Sequence, residues 1–95
     1  MKEKQTLSKL YMEQTILEYE IDSLLKDIEV FDKILSKQKS KRQFDKSQTL
    51  LEDIINTQHI IIKKLCQYAD QIQEHRDIGL QIISQLSESN QKKGE

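Results

Sequence analysis

Apolar residues recur along residues 50–86 at alternating steps of three and four. Two turns of an α-helix take about seven residues, so side chains with this spacing lie on one line of a helix. A second apolar line runs beside the first, and only Arg76 interrupts it. The two lines together predict one long helix whose apolar face is wide enough to pack against more than one neighbouring helix. The first line is Leu51, Ile54, Gln58, Ile61, Leu65, Tyr68, Ile72, His75, Gly79, Ile82 and Leu86, and the second is Ile55, Ile62, Ala69 and Ile83.

The first part of the chain has the same spacing. Its apolar line is free of polar residues from Leu17 to Leu35 and predicts a first helix over about residues 6–38. Thr6 or Ser8 could cap this helix by accepting a hydrogen bond from a free backbone N–H. The complete line is Leu7, Leu10, Gln14, Leu17, Ile21, Leu24, Ile28, Phe31 and Leu35.

The apolar pattern stops over residues 36–47, where five cations stand against Asp45 as the one anion. Leu35 and Leu51 hold equivalent positions sixteen residues apart, a distance that fits neither helical nor heptad spacing. We therefore predict a basic turn over about residues 39–46, a second helix over about 47–87 capped by Asp45 or Ser47, and a polar tail over 88–95. A single continuous rod is the alternative, because no Gly or Pro forces a turn here.

An antiparallel hairpin implies definite pairings between the two helices. A turn near Arg42 places Phe31 opposite Ile54 and Leu17 opposite Tyr68. The end of the second helix then overhangs the start of the first helix, and its apolar residues find no partner within the chain. These residues are Ile82, Ile83 and Leu86.

Composition supports an all-α fold. The 95 residues are 36% hydrophobic, 33% charged and only 5% aromatic, with no Pro and two Gly. We predict one helical domain over residues 1–95, because so short a chain forms at most one. So few aromatic side chains are poorly suited to filling a compact core, so we expect the coiled-coil-like hairpin to complete a helical bundle by oligomerisation.

Charge and cysteine content limit the classes of partner and compartment. The formal net charge of −1 argues against nucleic acid as the main partner. One cysteine cannot form an internal disulfide and fits a reducing compartment. No apolar run approaches the roughly 20 residues of a membrane-spanning helix. We expect a cytoplasmic protein, and leave open a nuclear location or export without a signal peptide.

No group of residues points to catalysis, a metal or another cofactor. His59 and Cys66 are two helical turns apart, about 10 Å, which is too far for both to bind one zinc ion. His75 could sense pH, but we favour a histidine at the core edge that bonds a nearby polar group. We therefore predict that the chain is not an enzyme and needs no cofactor.

The basic turn could contact phosphate on nucleic acid or on anionic lipid. Only Phe44 is aromatic in this segment, so stacking on bases has little support, and we favour a solvated turn. The candidate contacts are Lys39, Lys41 and Arg42.

Two resemblances to known families add alternatives. Residues 68–91, with Ala69, Ile72, Asp77-Ile78-Gly79, Ile82-Ile83 and Leu86, resemble the opening of a Qb-type SNARE helix, which implies a SNARE-like coiled-coil segment. The remaining SNARE layers are missing from the sequence, so that family's function is not carried over. The length and the turn in mid-chain also resemble the small helical-hairpin partners of type VII secretion, although the Trp-x-Gly turn of that family is absent.

The pattern favours a non-catalytic adaptor or assembly subunit that binds other helices, either as a homo-oligomer or in a mixed helical complex. The alternatives are a small secretion or export chaperone that masks a client helix, the phosphate-binding module and the SNARE-like segment. The predicted partner-binding residues are the apolar ones of both helices. They are Leu24, Ile28, Phe31, Leu51, Ile54, Ile55, Ile61, Ile62, Leu65, Tyr68, Ile72, Ile82, Ile83 and Leu86.

Overall fold

The computed structural model describes the backbone of residues 6–94 and the side chains of residues 6–88. Its two helices are α1 (Leu7–Arg42) and α2 (Gln48–Gly94), which pack against each other, and residues 6–94 contain no strand. The all-α hairpin is confirmed, and the alternative of one continuous rod is wrong. Both helices are longer than predicted: α1 ends at residue 42 instead of 38, and α2 continues through most of the predicted polar tail to residue 94.

The chain divides into two compact units, and each contains a segment of both helices. Unit 1 consists of Met1–Ile21 and Asp70–Glu95, and unit 2 consists of Asp22–Ala69, which includes the turn between the helices. The prediction of a single domain over residues 1–95 stays a prediction.

Side-chain caps fix where both helices begin. The backbone N–H of Lys9 donates to Thr6 Oγ1 at 3.2 Å, and the backbone N–H of Leu50 donates to Ser47 Oγ at 3.2 Å. Each hydroxyl satisfies one of the backbone donors that a helix start leaves free. Asp45 does not cap α2 itself but stabilises the turn before it, where Asp45 Oδ1 accepts a hydrogen bond from the backbone N–H of Ser47 at 2.9 Å. Thr6 and Ser47 are therefore the caps, each one of two predicted candidates.

The turn should respond to acid through Asp45. Hydrogen bonds from the Ser47 backbone and side chain, together with the charge of Lys41, hold the pKa of Asp45 below its ordinary value of 3.8. A lowered folded-state pKa means that the carboxylate stabilises the fold above the unfolded pKa, and that this contribution disappears as pH falls through the folded pKa. We expect Asp45→Asn, which keeps an acceptor oxygen, to lower the free energy of unfolding near neutral pH.

Urea unfolding at about pH 7 and at successively lower pH measures this effect. The difference between wild type and Asp45→Asn should shrink as pH falls below 3.8. A difference that stays constant over this range would show that the charge of Asp45 contributes nothing to the turn.

The predicted apolar line of α1 is confirmed as its packing surface. Leu10, Leu17, Ile21 and Leu24 are buried, and the other members of the line from residue 7 to residue 35 are half-buried. The core therefore follows the face of α1 that the spacing predicts.

The packing line of α2 agrees with the prediction at every second position. At each of the other positions, the residue on the line is the one immediately before the predicted residue. Thr57 is buried in place of Gln58, and Lys64 is half-buried in place of Leu65. The apolar face of α2 is broader than the surface of α1, so α1 covers one edge of it. The observed line is Leu50, Ile54, Thr57, Ile61, Lys64, Tyr68, Gln71, His75, Ile78, Ile82 and Gln85.

Two polar members of this line, Thr57 and Lys64, have partners nearby. Thr57 Oγ1 donates to the backbone carbonyl of Asp53 at 2.9 Å, so its burial leaves no free hydroxyl. Lys64 Nζ lies 5.5 Å from the ring centre of Phe31 and 3.6 Å from Asp27 Oδ2. The aliphatic stem of a lysine can pack while its ammonium stays at the surface. These contacts let polar residues occupy a packing line that the sequence assigns to apolar ones.

The register between the helices differs from the prediction by about one heptad. Phe31 lies by Lys64 instead of Ile54, and within unit 1 the contacts pair Glu18 with His75 and Gln14 with Gly79. The cause is the turn, which follows residue 42 instead of being centred on it. In an antiparallel hairpin, each residue added before the turn shifts the pairing by two.

The predicted overhang of Ile82, Ile83 and Leu86 is therefore wrong for Ile82. Ile82 is buried at 6% exposure, and the register places Leu10 across from it. Ile83 and Leu86 are exposed as predicted, but the reason is different. They lie beside the packing line of α2, where α1 does not cover them.

Candidate partner-binding surface

Eight large apolar residues of α2 lie outside the packing line and are exposed, and all of them except Ile60 and Leu80 follow one side of the helix. Unit 2 contributes three of these six and unit 1 the other three, at exposures between 40% and 59%. Successive members are 7, 3, 7, 11 and 3 residues apart, each step close to a whole number of helical turns, so the sequence of α2 carries a second apolar line next to the first. We call this set the outer stripe: Ile55, Ile62 and Leu65 in unit 2, and Ile72, Ile83 and Leu86 in unit 1.

The structure separates the fourteen predicted partner-binding residues into two groups. Six form the outer stripe and are accessible. The other eight are buried or half-buried among the residues described, and the hairpin itself covers most of their surface. Their contact with a partner stays a prediction. The eight are Leu24, Ile28, Phe31, Leu51, Ile54, Ile61, Tyr68 and Ile82.

Helix α1 carries no line of comparable length. Met12, Ile16 and Tyr19 are exposed and follow steps of four and three, but the next positions in that series are Ser23 and Lys26. Exposed apolar residues in short runs are normal on a protein surface, whereas a long line at helical spacing is not. The outer stripe is therefore the stronger candidate for binding.

Charge is unevenly divided between the two units. In the sequence of unit 1, residues 1–21 and 70–95, nine acidic residues stand against six basic ones, a formal net charge of −3. Unit 2, residues 22–69, has nine basic side chains against seven acidic ones, a net charge of +2. The part of the outer stripe in unit 1 therefore belongs to a unit of net negative charge, and the part in unit 2 belongs to a unit of net positive charge.

His75 lies at the edge of the core of unit 1. Its Nε2 is 2.9 Å from Glu18 Oε1, and the ring is half-buried. The favoured interpretation, a histidine bonded to a nearby polar group, is confirmed; a role in pH sensing stays untested. His59 and Cys66 are exposed.

A shallow groove of about 200 Å³ lies in unit 1. Three of its lining residues are carboxylates, Glu13, Glu20 and Glu74, and the other three are Ile16, Leu17 and Ile78. Among the side chains that the structure describes, no group of three or more His, Cys, Asp or Glu is arranged to hold a metal ion. The groove adds acidic surface to unit 1 and has no catalytic arrangement that we can name.

The basic turn is largely part of α1. Lys39, Lys41 and Arg42 occupy the last helical turn and are exposed, where cations complement the negative end of the helix dipole. Lys39 and Lys41 are two residues apart, which places them on opposite sides of a helix. They do not converge on one point, so contact with phosphate stays a prediction.

No known protein family, characterised protein or solved structure gave a significant match to this chain. Within the described residues, neither helix contains a stretch long and apolar enough to cross a membrane. The functional argument therefore depends on the surfaces of the two units alone.

Proposed function

We propose that this protein is a non-catalytic adaptor or assembly subunit that binds other helices through the outer stripe of α2. The proposal depends on one observation, which is that α2 carries two packing lines while α1 covers only one of them. An uncovered line of isoleucine and leucine at helical spacing fits the groove or face of another helix. Such a line is the expected contact surface of a subunit within a helical bundle.

Burial in the hairpin supports this assignment. The packing line against α1 includes Thr57, Lys64 and Gln71, and the Oε1 atom of Gln71 is buried without a hydrogen-bond partner. The outer stripe has aliphatic residues at the neighbouring positions, Leu65 and Ile72. Burying an aliphatic side chain of this size contributes roughly 1.5–3 kcal/mol, so covering the stripe would stabilise the protein considerably.

Analytical ultracentrifugation of charged variants tests the proposal. We expect the wild type to sediment as a dimer or larger assembly, and Ile72→Glu combined with Ile83→Glu to sediment as a monomer. Both residues are exposed, so circular dichroism should show that the helices of the variant persist. Introducing charge at an apolar contact disrupts association because the carboxylate would lose its hydration.

Met12→Glu combined with Tyr19→Glu is the matched control. These side chains are 58% and 74% exposed on α1, outside the outer stripe, and the charge change is the same. The control should assemble like the wild type. The proposal would be wrong if the wild type were a compact, stable monomer at high concentration, or if the stripe variant assembled as strongly as the control.

A further inference from the structure

We infer that the outer stripe takes a second copy of this chain in antiparallel orientation, so that unit 1 of one copy packs on unit 2 of the other. The inference rests on the proposed function, because it names the occupant of the same surface. Two features of the chain favour this occupant: the opposite charges of the two units and the sizes of the side chains along the stripe.

The division of charge selects the orientation. A parallel pair would place unit 1, at −3, against unit 1 of the other copy, and would bring the two Arg76 side chains together within the stripe. An antiparallel pair places the −3 unit against the +2 unit twice. Like charges at an interface disfavour association and opposite charges guide it, so the antiparallel pair is the favoured one.

Side-chain sizes along α2 fit the same orientation. In an antiparallel pair, stepping forward along one helix means stepping back along the other. With Ile55 opposite Leu86 of the second copy, Ile62 falls opposite Gly79, and the small Ala69 falls opposite Ile72. Large side chains thus meet small ones at two positions, which lets helices approach closely.

Gly79 lies at a close contact between the two helices of unit 1. Glycine is among the poorest helix formers, yet Gly79 lies well inside α2 and does not have a positive φ. A Cβ atom added there would lie 3.3 Å from Nε2 of Gln14, so the glycine leaves room for that side chain of α1.

Cross-linking between differently substituted copies tests the orientation. With Cys66→Ser as the background, one preparation carries His59→Cys and the other carries Leu80→Cys. Both positions are exposed and lie on the same margin of the outer stripe. After mixing, unfolding and refolding together, a short bismaleimide should join position 59 of one copy to position 80 of the other. Each preparation alone should give little cross-linked dimer.

Each outcome decides a separate question. Efficient 59–59 and 80–80 cross-links in the single preparations would mean a parallel pair, and would overturn the inference while leaving the proposed function intact. Raising NaCl from about 0.05 M to about 0.5 M should weaken the antiparallel dimer severalfold, because salt screens its charge attraction. Stronger association at high salt would also overturn the inference alone. A wild type that is monomeric throughout would overturn both.

Discussion

Replacing Ile82 with aspartate is expected to unfold unit 1, with a loss of at least about 3 kcal/mol in the free energy of unfolding. Ile82 is only 6% exposed and lies on the packing line of α2. A carboxylate at this position would lose its hydration within the packing line. Urea unfolding and the helical signal in circular dichroism measure the loss.

The neighbouring substitution Ile83→Asp is the matched control. Ile83 is 59% exposed, so the same chemical change should alter the stability of the isolated hairpin by no more than about 0.5 kcal/mol. Any further loss in this variant should depend on protein concentration, since it would come from weakened association. Equal, concentration-independent losses for the two variants would mean that the packing line of α2 is misplaced.

The second large effect is expected in unit 2. Leu24→Ala should lower the free energy of unfolding by about 2–4 kcal/mol, because Leu24 is 6% exposed and its truncation leaves a cavity between the helices. Thermal and urea unfolding of the purified variant give the value directly. The next residue along α1 allows a matched comparison.

Leu25 provides that comparison, since it is the same residue type at the next position with 39% exposure. Leu25→Ala should cost less than half as much as Leu24→Ala, because part of its surface is already in water. If the order were reversed, the face of α1 that packs in unit 2 would have to be reassigned.

The spacing of apolar residues predicted the buried face of α1 correctly, because the apolar face of that helix is narrow. The line of α1 has polar or charged residues on its flanks, such as Glu13, Glu20 and Asp27, so only one face could be buried, and that face is the one observed. The caps Thr6 and Ser47 were also readable, because a hydroxyl before a helix has a specific hydrogen-bonding use.

Spacing failed where the apolar face was broad. Two apolar lines run side by side along α2, one through Ile54 and Ile61 and the other through Ile55 and Ile62. Nothing in the sequence shows which of the two lines packs against α1. The turn was misplaced for a related reason: Lys39 to Arg42 are good helix formers, so α1 continued beyond the end of its apolar pattern. An error of a few residues at the turn then became a shift of one heptad in register.

The separation between the two lines of α2 has a consequence for the fate of the chain in a cell. The line turned toward α1 contains Thr57, Lys64 and Gln71, while the richer aliphatic line is left outside. Until a partner covers the outer stripe, a newly made copy would therefore be prone to aggregation and proteolysis. If the proposed partner exists, the abundance of the protein would follow the amount of that partner, because uncovered copies would be degraded.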